Sequence, residues 1–196
     1  MKVTKAQAQA NREHVVATAS TLFREHGYDG VGIADLMAAA GFTHGGFYKH
    51  FGSKADLMAE AATCGLAETA QMTAHLAPAD LVTRYLSRAH RDARAEGCTM
   101  AALGADAARQ PNQVRTVFAE GIERLVAALV GEQPDGEGAG EARARALAML
   151  AQMAGALLLS RACPDDSPLA NDVLAASRDE LLAALSHGAQ TPHPST

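Results

Sequence analysis

The sequence predicts an all-α protein, and both its composition and its hydrophobic pattern indicate that class. Alanine is abundant, aromatic residues make up only 4%, and the 196 residues include 7 prolines. Alanine favours helices, whereas strands favour β-branched and aromatic residues. Apolar residues recur at helical spacing, and no segment alternates as a strand does. Because 48% of residues are hydrophobic and 20% are charged, the chain has the composition of a globular protein with a substantial core.

The first third of the chain predicts three helical segments separated by glycines. A helix over residues 8–26 ends at Gly27, and its apolar face comprises Val15, Val16, Ala19, Leu22 and Phe23. A short second helix ends at Gly41, and its apolar face comprises Ile33, Leu36, Met37 and Ala40. Residues 43–51 predict a third short helix, which carries Phe47, Tyr48 and Phe51.

The rest of the chain keeps the helical spacing. Ser53 and Asp56 form a capping pattern that starts a long helix, and Pro78 starts another. Further helices are predicted over residues 100–110, from Pro111 onward, and over residues 141–162 and 167–186. Residues 131–140 predict a flexible acidic loop, and residues 187–196 predict a disordered tail. The predicted organisation is a three-helix domain over residues 1–53 and a larger helical domain over residues 54–186.

Residues 33–51 carry the motif that indicates function. Two short helices joined by a glycine turn form a helix-turn-helix, whose second helix enters the major groove of DNA. Thr43 is placed to cap that second helix. Lys54 begins the next helix, where its charge and the helix N-terminus act together on a phosphate. The side chains that suit phosphates or base edges are His44, Tyr48, Lys49 and His50.

Two adjacent glycines, Gly45 and Gly46, lie inside this predicted recognition helix. Each costs roughly 1 kcal/mol relative to alanine in a helix interior. One interpretation is that the helix approaches DNA closely. The other is that it packs closely on a neighbouring helix, or is simply held in place by its aromatic residues, Phe42, Phe47 and Phe51. The sequence leaves both interpretations open.

Charge is distributed unevenly along the chain. The formal net charge is −5, yet residues 1–55 carry six Lys or Arg against four Asp or Glu. No carboxylate side chain occurs between Asp35 and Asp56. An acid-free basic window of this kind permits local docking on a polyanion, and it is equally compatible with a solvated face.

Several protein classes are disfavoured by the sequence. The N-terminus has no apolar signal segment, and the longest near-continuous apolar stretch, residues 146–159, is too short to span a bilayer. Cys64, Cys98 and Cys163 are far apart, which argues against a disulfide scaffold and against a thiolate zinc site. We therefore expect a cytoplasmic protein with no membrane partner, no metal and no other cofactor.

The motifs LFREHGYDG, GIADLMAAAG and FTHGGFYKHFGSKADL, within residues 19–57, resemble the DNA-binding domain of the tetracycline-repressor (TetR) family. The F-Y-x-H-F-x-S-K pattern after a glycine turn is the most specific of them. One departure is Gly32, which offers a backbone N–H where the family often has a Thr or Ser hydroxyl. The resemblance implies a three-helix DNA-binding head and a larger helical domain for ligand binding and dimerisation. It places at DNA-contact positions Thr43, His44, Gly45, Gly46, Tyr48, Lys49, His50 and Lys54.

The same resemblance implies an effector cavity in the second domain and a dimer formed by the last two helices. Candidate cavity residues, each of which also suits plain core, are Tyr85, His90, Met100, Phe118, Met149 and Met153. The penultimate helix carries small residues that permit close helix contact, either across a dimer interface or within the chain: Ala148, Ala151, Gly155 and Ala156.

Cys98 is a further candidate effector residue. It follows Gly97 near the start of a predicted helix, where backbone N–H groups can stabilise a thiolate. The stretch GCTMAAL looks similar to regulators of this family that sense electrophiles or oxidants through a cysteine. The alternative role of Cys98 is that of a small buried apolar residue.

The favoured interpretation is a homodimeric transcriptional regulator, most often a repressor in this family, that a small molecule releases from a palindromic operator. The alternative is a redox- or electrophile-sensing repressor that uses Cys98. An enzyme is disfavoured because the sequence lacks H-E-x-x-H, G-x-S-x-G and Walker motifs, so no catalytic residue is predicted. A structural dimer that has lost DNA binding is disfavoured by the acid-free window.

Overall fold

The computed structural model of the chain describes residues 4–131 and 138–188, which form helices and the turns that connect them and contain no strand. The predicted all-α class is confirmed. Most of the predicted acidic loop and most of the predicted tail lie outside the described residues. In chain order the helices are α1 (Lys5–His26), α2 (Ile33–Ala39), a 3₁₀-helix (His44–Lys49), α3 (Lys54–Thr73), α4 (Pro78–Tyr85), α5 (Arg88–Asp92), α6 (Thr99–Ala107), α7 (Asn112–Val130), α8 (Ala139–Ala162) and α9 (Pro168–Gly188).

The chain divides into two compact units. The first comprises Met1–Ala70 and Arg94–Arg124, and in it α1 packs against α2 and α6, and α2 packs against the 3₁₀-helix. The second comprises Gln71–Ala93 and Leu125–Thr196, and in it α9 packs against α8 and α4. This division differs from the predicted domain boundary at residues 53 and 54, which stays a prediction.

The core of the first unit is built on the predicted apolar face of α1. Val15, Ala19 and Phe23 of that face are buried. Gly27 ends the helix with a φ of +77°, a backbone conformation that favours glycine. The ring of Tyr28 then packs edge-on against Phe23, with 5.0 Å between the centroids. The turn after α1 is therefore part of the core.

Arg24 is a buried cation that joins three parts of this unit. Its Nε donates to the carbonyl of Ala95 at 2.6 Å, and its Nη1 donates to Ser20 Oγ at 2.8 Å. A carboxylate oxygen of Glu68 lies 3.5 Å from the guanidinium. Removing the partners of a buried charge costs about 3–5 kcal/mol. The contacts of Arg24 therefore hold α1 against α3 and against the segment before α6.

A second buried cation, Arg91, organises the second unit. Its guanidinium donates to the carbonyls of Ser160 and Cys163 at the C-terminal end of α8. It also donates to Asp165 Oδ1 at 2.9 Å, in the connection between α8 and α9. The short helix α5, which carries Arg91, is absent from the helices that the sequence predicts. It begins separately from α4 because Ser87 Oγ accepts a hydrogen bond from the backbone N–H of His90.

Candidate nucleic-acid interface

Residues 33–49 form two short helices joined by a tight turn. Gly41 adopts a φ of +77° after α2, and the N–H of Phe42 donates to the carbonyl of Met37 at 2.8 Å. Thr43 is extended, and the 3₁₀-helix begins at His44. The structure therefore contains the predicted helix-turn-helix, with a 3₁₀-helix as its second helix.

The 3₁₀-helix is held by its buried aromatic side. Phe47 is fully buried and Phe51 nearly so, and their ring centroids are 5.4 Å apart. The opposite side faces solvent, and the ring of Tyr48, which is 64% exposed, lies edge-on to the imidazole of His44. The exposed DNA-contact candidates are Thr43, His44, Gly45, Tyr48 and Lys49. Gly46, His50 and Lys54 are half-buried.

The fold requires glycine at neither Gly45 nor Gly46. A Cβ added at Gly45 would meet no atom within 4 Å, and one at Gly46 would make ordinary contacts with Met37 and Thr43. Neither residue has a positive φ. Close packing on a neighbouring helix therefore does not explain the two glycines, although anchoring by Phe47 and Phe51 does hold the helix.

The two predicted helix caps have different outcomes. The prediction for Thr43 is wrong, because its side chain accepts no capping hydrogen bond and only its backbone carbonyl accepts one, from Gly46 N–H. The prediction for Ser53 is confirmed, since Ser53 Oγ accepts from the N–H of Asp56 at 3.2 Å. Gly32 precedes α2 without a side-chain cap, as its identity dictates.

Lys54 has a structural partner that the sequence did not reveal. Its Nζ donates to the carbonyl of Tyr28 at 2.5 Å and lies 5.9 Å from the ring centroid of Phe23. An ammonium group carries three donors, so this bond leaves donors for a phosphate. Contact of Lys54 with DNA stays a prediction.

Arg12 supports the 3₁₀-helix and was missed by sequence reasoning. Its Nε donates to the carbonyl of His50 at 3.3 Å, and its guanidinium lies 4.8 Å from the ring centroid of Phe51. Both terminal nitrogens donate to the carboxylate of Glu60 on α3. The sequence offers one indication of this role: at helical spacing, Arg12 lies on the same face of α1 as the buried residues Val15 and Ala19. Its partners, 38 and 48 residues away, are not readable from the sequence.

Residues 15–61 match the family described as "Bacterial regulatory proteins, tetR family". This range covers the C-terminal half of α1, all of α2 and of the 3₁₀-helix, and the start of α3. Residues 15–61 are therefore a DNA-binding region of the TetR family. The resemblance seen in the sequence motifs is thereby confirmed.

One curated relative and several solved structures are similar to the chain. Over 57 residues it is 39% identical to the HTH-type transcriptional regulator AcrR of Shigella flexneri, a match that spans 29% of this chain and 26% of AcrR. A TetR transcriptional regulator from Chloroflexus aurantiacus is 27% identical, with a TM-score of 0.69, and covers 92% of this chain and 96% of its own. The reduced form of E. coli NemR is 20% identical, with a TM-score of 0.70 and coverage of 88% and 95%.

The candidate effector residues are distributed over both units. Cys98, Met100 and Phe118 belong to the first unit; Tyr85, His90, Met149 and Met153 belong to the second. The ring centroids of Tyr85 and His90 are 4.6 Å apart, and His90 Nδ1 donates to the carbonyl of Tyr85 at 2.7 Å. Burial lowers the pKa of His90. Their role in effector binding stays a prediction.

The three cysteines differ in environment. Cys98 immediately precedes α6, as predicted, and its side chain is buried. Cys64 and Cys163 are half-buried. Burial raises the pKa of the Cys64 thiol, and the carboxylate of Glu68, 3.5 Å away, raises it further. Cys64 is therefore a weaker nucleophile at neutral pH than an ordinary cysteine.

A cavity of about 380 Å³ lies in the second unit. Met149 is the one candidate effector residue among the side chains that line it. The lining residues are Pro78, Leu129, Val130, Ala142, Arg145, Ala146, Ala148, Met149, Gln152, Leu181, Ala184 and Leu185.

Replacement of Arg12 tests its role as the residue that positions the 3₁₀-helix. We expect Arg12→Ala to lower the free energy of unfolding by about 1–2 kcal/mol, because it removes a two-pronged ion pair and a bond to a helix-end carbonyl. Amide hydrogen exchange should accelerate selectively at residues 47–51. Urea unfolding and exchange measured by mass spectrometry check both effects. Arg115→Ala, which removes an exposed arginine from α7, is the control; equal exchange in the two variants would contradict the assignment.

Proposed function

We propose that this TetR-family chain is a transcriptional regulator that binds double-stranded operator DNA in a sequence-specific way. The observation that carries the proposal is the two-sided 3₁₀-helix. Its aromatic side is anchored in the core, and its polar side, which includes Tyr48 and Lys49, projects into solvent. A helix presented in this way can enter a major groove without rearrangement of the fold.

The chemistry of the exposed side suits a polyanion. Lys49 supplies a charge for phosphate, and the hydroxyl of Tyr48 and the ring nitrogens of His44 supply hydrogen bonds for phosphates or base edges. The window between Asp35 and Asp56 has no carboxylate to repel the DNA. Gly45 lies on this exposed side with open space around it, so the backbone there can approach DNA more closely than any other residue type allows.

We also propose a homodimer formed through α8 and α9. Six residues of α8, which we call the α8 stripe, are small or apolar, recur every three or four positions and are exposed or half-buried in the single chain: Ala144, Ala148, Ala151, Gly155, Leu158 and Ala162. Ala156, by contrast, is buried and packs within the chain. Of the four small residues, Ala156 fits packing within the chain, whereas Ala148, Ala151 and Gly155 are available to a partner.

The apolar character of α8 fits burial against a second copy. By length and composition α8 could cross a membrane, although the shorter stretch of residues 146–159 had suggested otherwise, and 28% of its most apolar window is buried. The neighbouring helix α9 exposes carboxylates, among them Asp172, Asp179 and Glu180. A lipid environment would penalise those carboxylates, whereas a dimer can leave them in water. A dimer also supplies the two recognition helices that a palindromic operator requires, at half-sites roughly 34–36 Å apart.

Effector binding and DNA binding are thermodynamically linked if the effector distinguishes the free dimer from the DNA-bound dimer. An effector that binds the free dimer better than the DNA-bound dimer must weaken DNA binding, and a coupling of about 1–3 kcal/mol changes operator affinity roughly 5–150-fold. We propose that the chain acts in this way as a cytoplasmic repressor released by a small molecule. The second unit, which contains the cavity, is the proposed effector-binding region.

The alternative proposal is that oxidation or alkylation of Cys98 supplies the release signal. Its support is the position of Cys98 directly before the N-terminus of α6. The burial of the side chain argues against easy access by an oxidant. We expect a Cys98→Ser variant bound to operator DNA to be released by peroxide no less than the unmodified protein, as measured by fluorescence anisotropy. Release of the unmodified protein alone would establish the thiol sensor.

A charge placed in the α8 stripe tests the dimer. Ala151→Glu should convert the protein from twice the 20.3 kDa chain mass to a monomer, because two buried carboxylates would face each other at the interface. Analytical ultracentrifugation measures the change. Ala119→Glu introduces the same charge at an exposed position of α7 and should leave the dimer intact. A dimeric Ala151→Glu variant would show that the interface lies elsewhere.

DNA binding is tested by fluorescence anisotropy with the duplex upstream of the chain's own gene and with a scrambled duplex. We expect tight binding to the native duplex, weakening steeply between about 50 and 200 mM salt as counterions are released. A Gly45→Ala variant should lose affinity by about tenfold or more, yet unfold at equal or higher urea concentration, because alanine favours the helix by up to about 1 kcal/mol.

The two readouts of Gly45→Ala separate DNA contact from folding. A variant that is both stable and defective in DNA binding supports close approach of the 3₁₀-helix to DNA. Unchanged affinity would remove Gly45 from the contact surface. Equal, weak binding of the unmodified protein to native and scrambled duplexes, together with no enrichment of any site in genome-wide binding, would overturn sequence-specific regulation.

A further inference from the structure

We infer that the cavity of the second unit binds a medium-chain carboxylate: a molecule with an unbranched apolar body and a single anionic end. The inference rests on the proposed function, since it assigns a chemical class to the effector of the proposed regulator. Three properties of the cavity lead to it: its volume, the composition of its lining and the position of one arginine.

The volume is that of a ligand site. Ligand clefts and cavities commonly measure roughly 300–1,000 Å³. This cavity, of about 380 Å³, falls within that range. At the packing density of protein interiors, about 0.74, a molecule of roughly ten to fifteen non-hydrogen atoms fills such a space.

The lining is apolar except at two places. Ten of the twelve lining residues are apolar, and they include Leu129 from α7, Met149 from α8 and Leu181 from α9. Apolar side chains offer water no hydrogen bonds, so the apolar body of a ligand gains by displacing poorly ordered water from this surface. The unbranched side chain of Met149 can adjust to a flexible chain. These residues therefore select an aliphatic body.

Arg145 and Gln152 are the two polar residues of the lining. Arg145 is the charged one, and its Nη1 lies 3.4 Å from the carboxylate of Glu141 in an exposed pair. Exposed pairs of this kind contribute little to stability, so a ligand carboxylate can replace Glu141 without a large penalty. A guanidinium matches the geometry of a carboxylate through two parallel N–H donors. The charge of the lining therefore selects an anion over a neutral or cationic head group.

The test is isothermal titration calorimetry of the full chain, without DNA, against decanoate, decanol and decylamine. We expect decanoate to bind at least about tenfold more tightly than decanol, and decylamine to bind most weakly. Arg145→Leu should reduce decanoate to the affinity of decanol. Arg143→Leu, two residues away on α8 and absent from the cavity lining, should leave the preference unchanged.

A second variant tests the cavity itself. Ala146→Leu fills space in the lining and should weaken decanoate and decanol together; if it fails to fold, Ala184→Leu at another lining position replaces it. Equal binding of decanoate and decanol, or retention of the preference in Arg145→Leu, would overturn the assigned class. Absence of heat with all three ligands would overturn the site.

The proposed DNA function is measured separately, as the affinity for operator DNA without decanoate. Loss of that affinity on addition of decanoate is the result expected of an effector. Operator binding that decanoate leaves unchanged would overturn the effector role. Failure to bind any operator would overturn the regulator proposal, whereas the calorimetric result would still decide whether the cavity binds a carboxylate.

Discussion

The burial of Phe47 and Phe51 is the interaction on which the functional surface depends. A six-residue 3₁₀-helix with two glycines has little stability of its own, because nucleation is costly and each glycine adds backbone entropy to be lost. The two rings, packed 5.4 Å apart in the core, supply the missing stability. Arg12 then holds the C-terminal end of that helix through the carbonyl of His50. The side chains on the exposed side are therefore not needed to stabilise the helix, and they can contact DNA without loss of the fold.

The helix-turn-helix is structurally tied to α6 and to the segment that precedes α6. Arg24 on α1 takes the carbonyl of Ala95 as a partner, and the N–H of Tyr28 donates to Asp106 on α6. Both contacts join the first seventy residues to residues 94–124, and the compact unit includes both segments. Any ligand that shifts α6 would therefore act on α1 through a buried cation and through the turn after α1. A simple cut at residue 53 would leave Arg24 without Ala95.

The second unit differs from the first because it leaves large apolar side chains of α8 exposed, among them Leu158 and Leu159. Arg91 secures one end of α8 by binding its last carbonyls. Along the same helix, the α8 stripe remains open, and the cavity lies among α4, α7, α8 and α9. The two features share Ala148 and suit different partners: an apolar stripe is best covered by another protein surface, whereas an apolar cavity of this volume suits a small molecule.

The sequence by itself determined the helical class, the helix-turn-helix and the family, because these depend on local propensities and on a compact motif. Alanine content, glycine positions and the F-Y-x-H-F-x-S-K pattern all act over short separations. Tertiary structure decided whatever depends on distant partners. It alone revealed the Arg12–Glu60 pair, the bond from Lys54 to Tyr28 and the failure of Thr43 as a cap. It alone also separated Met149, which lines the cavity, from the other candidate effector residues, because helical spacing identifies an apolar face without identifying what that face packs against.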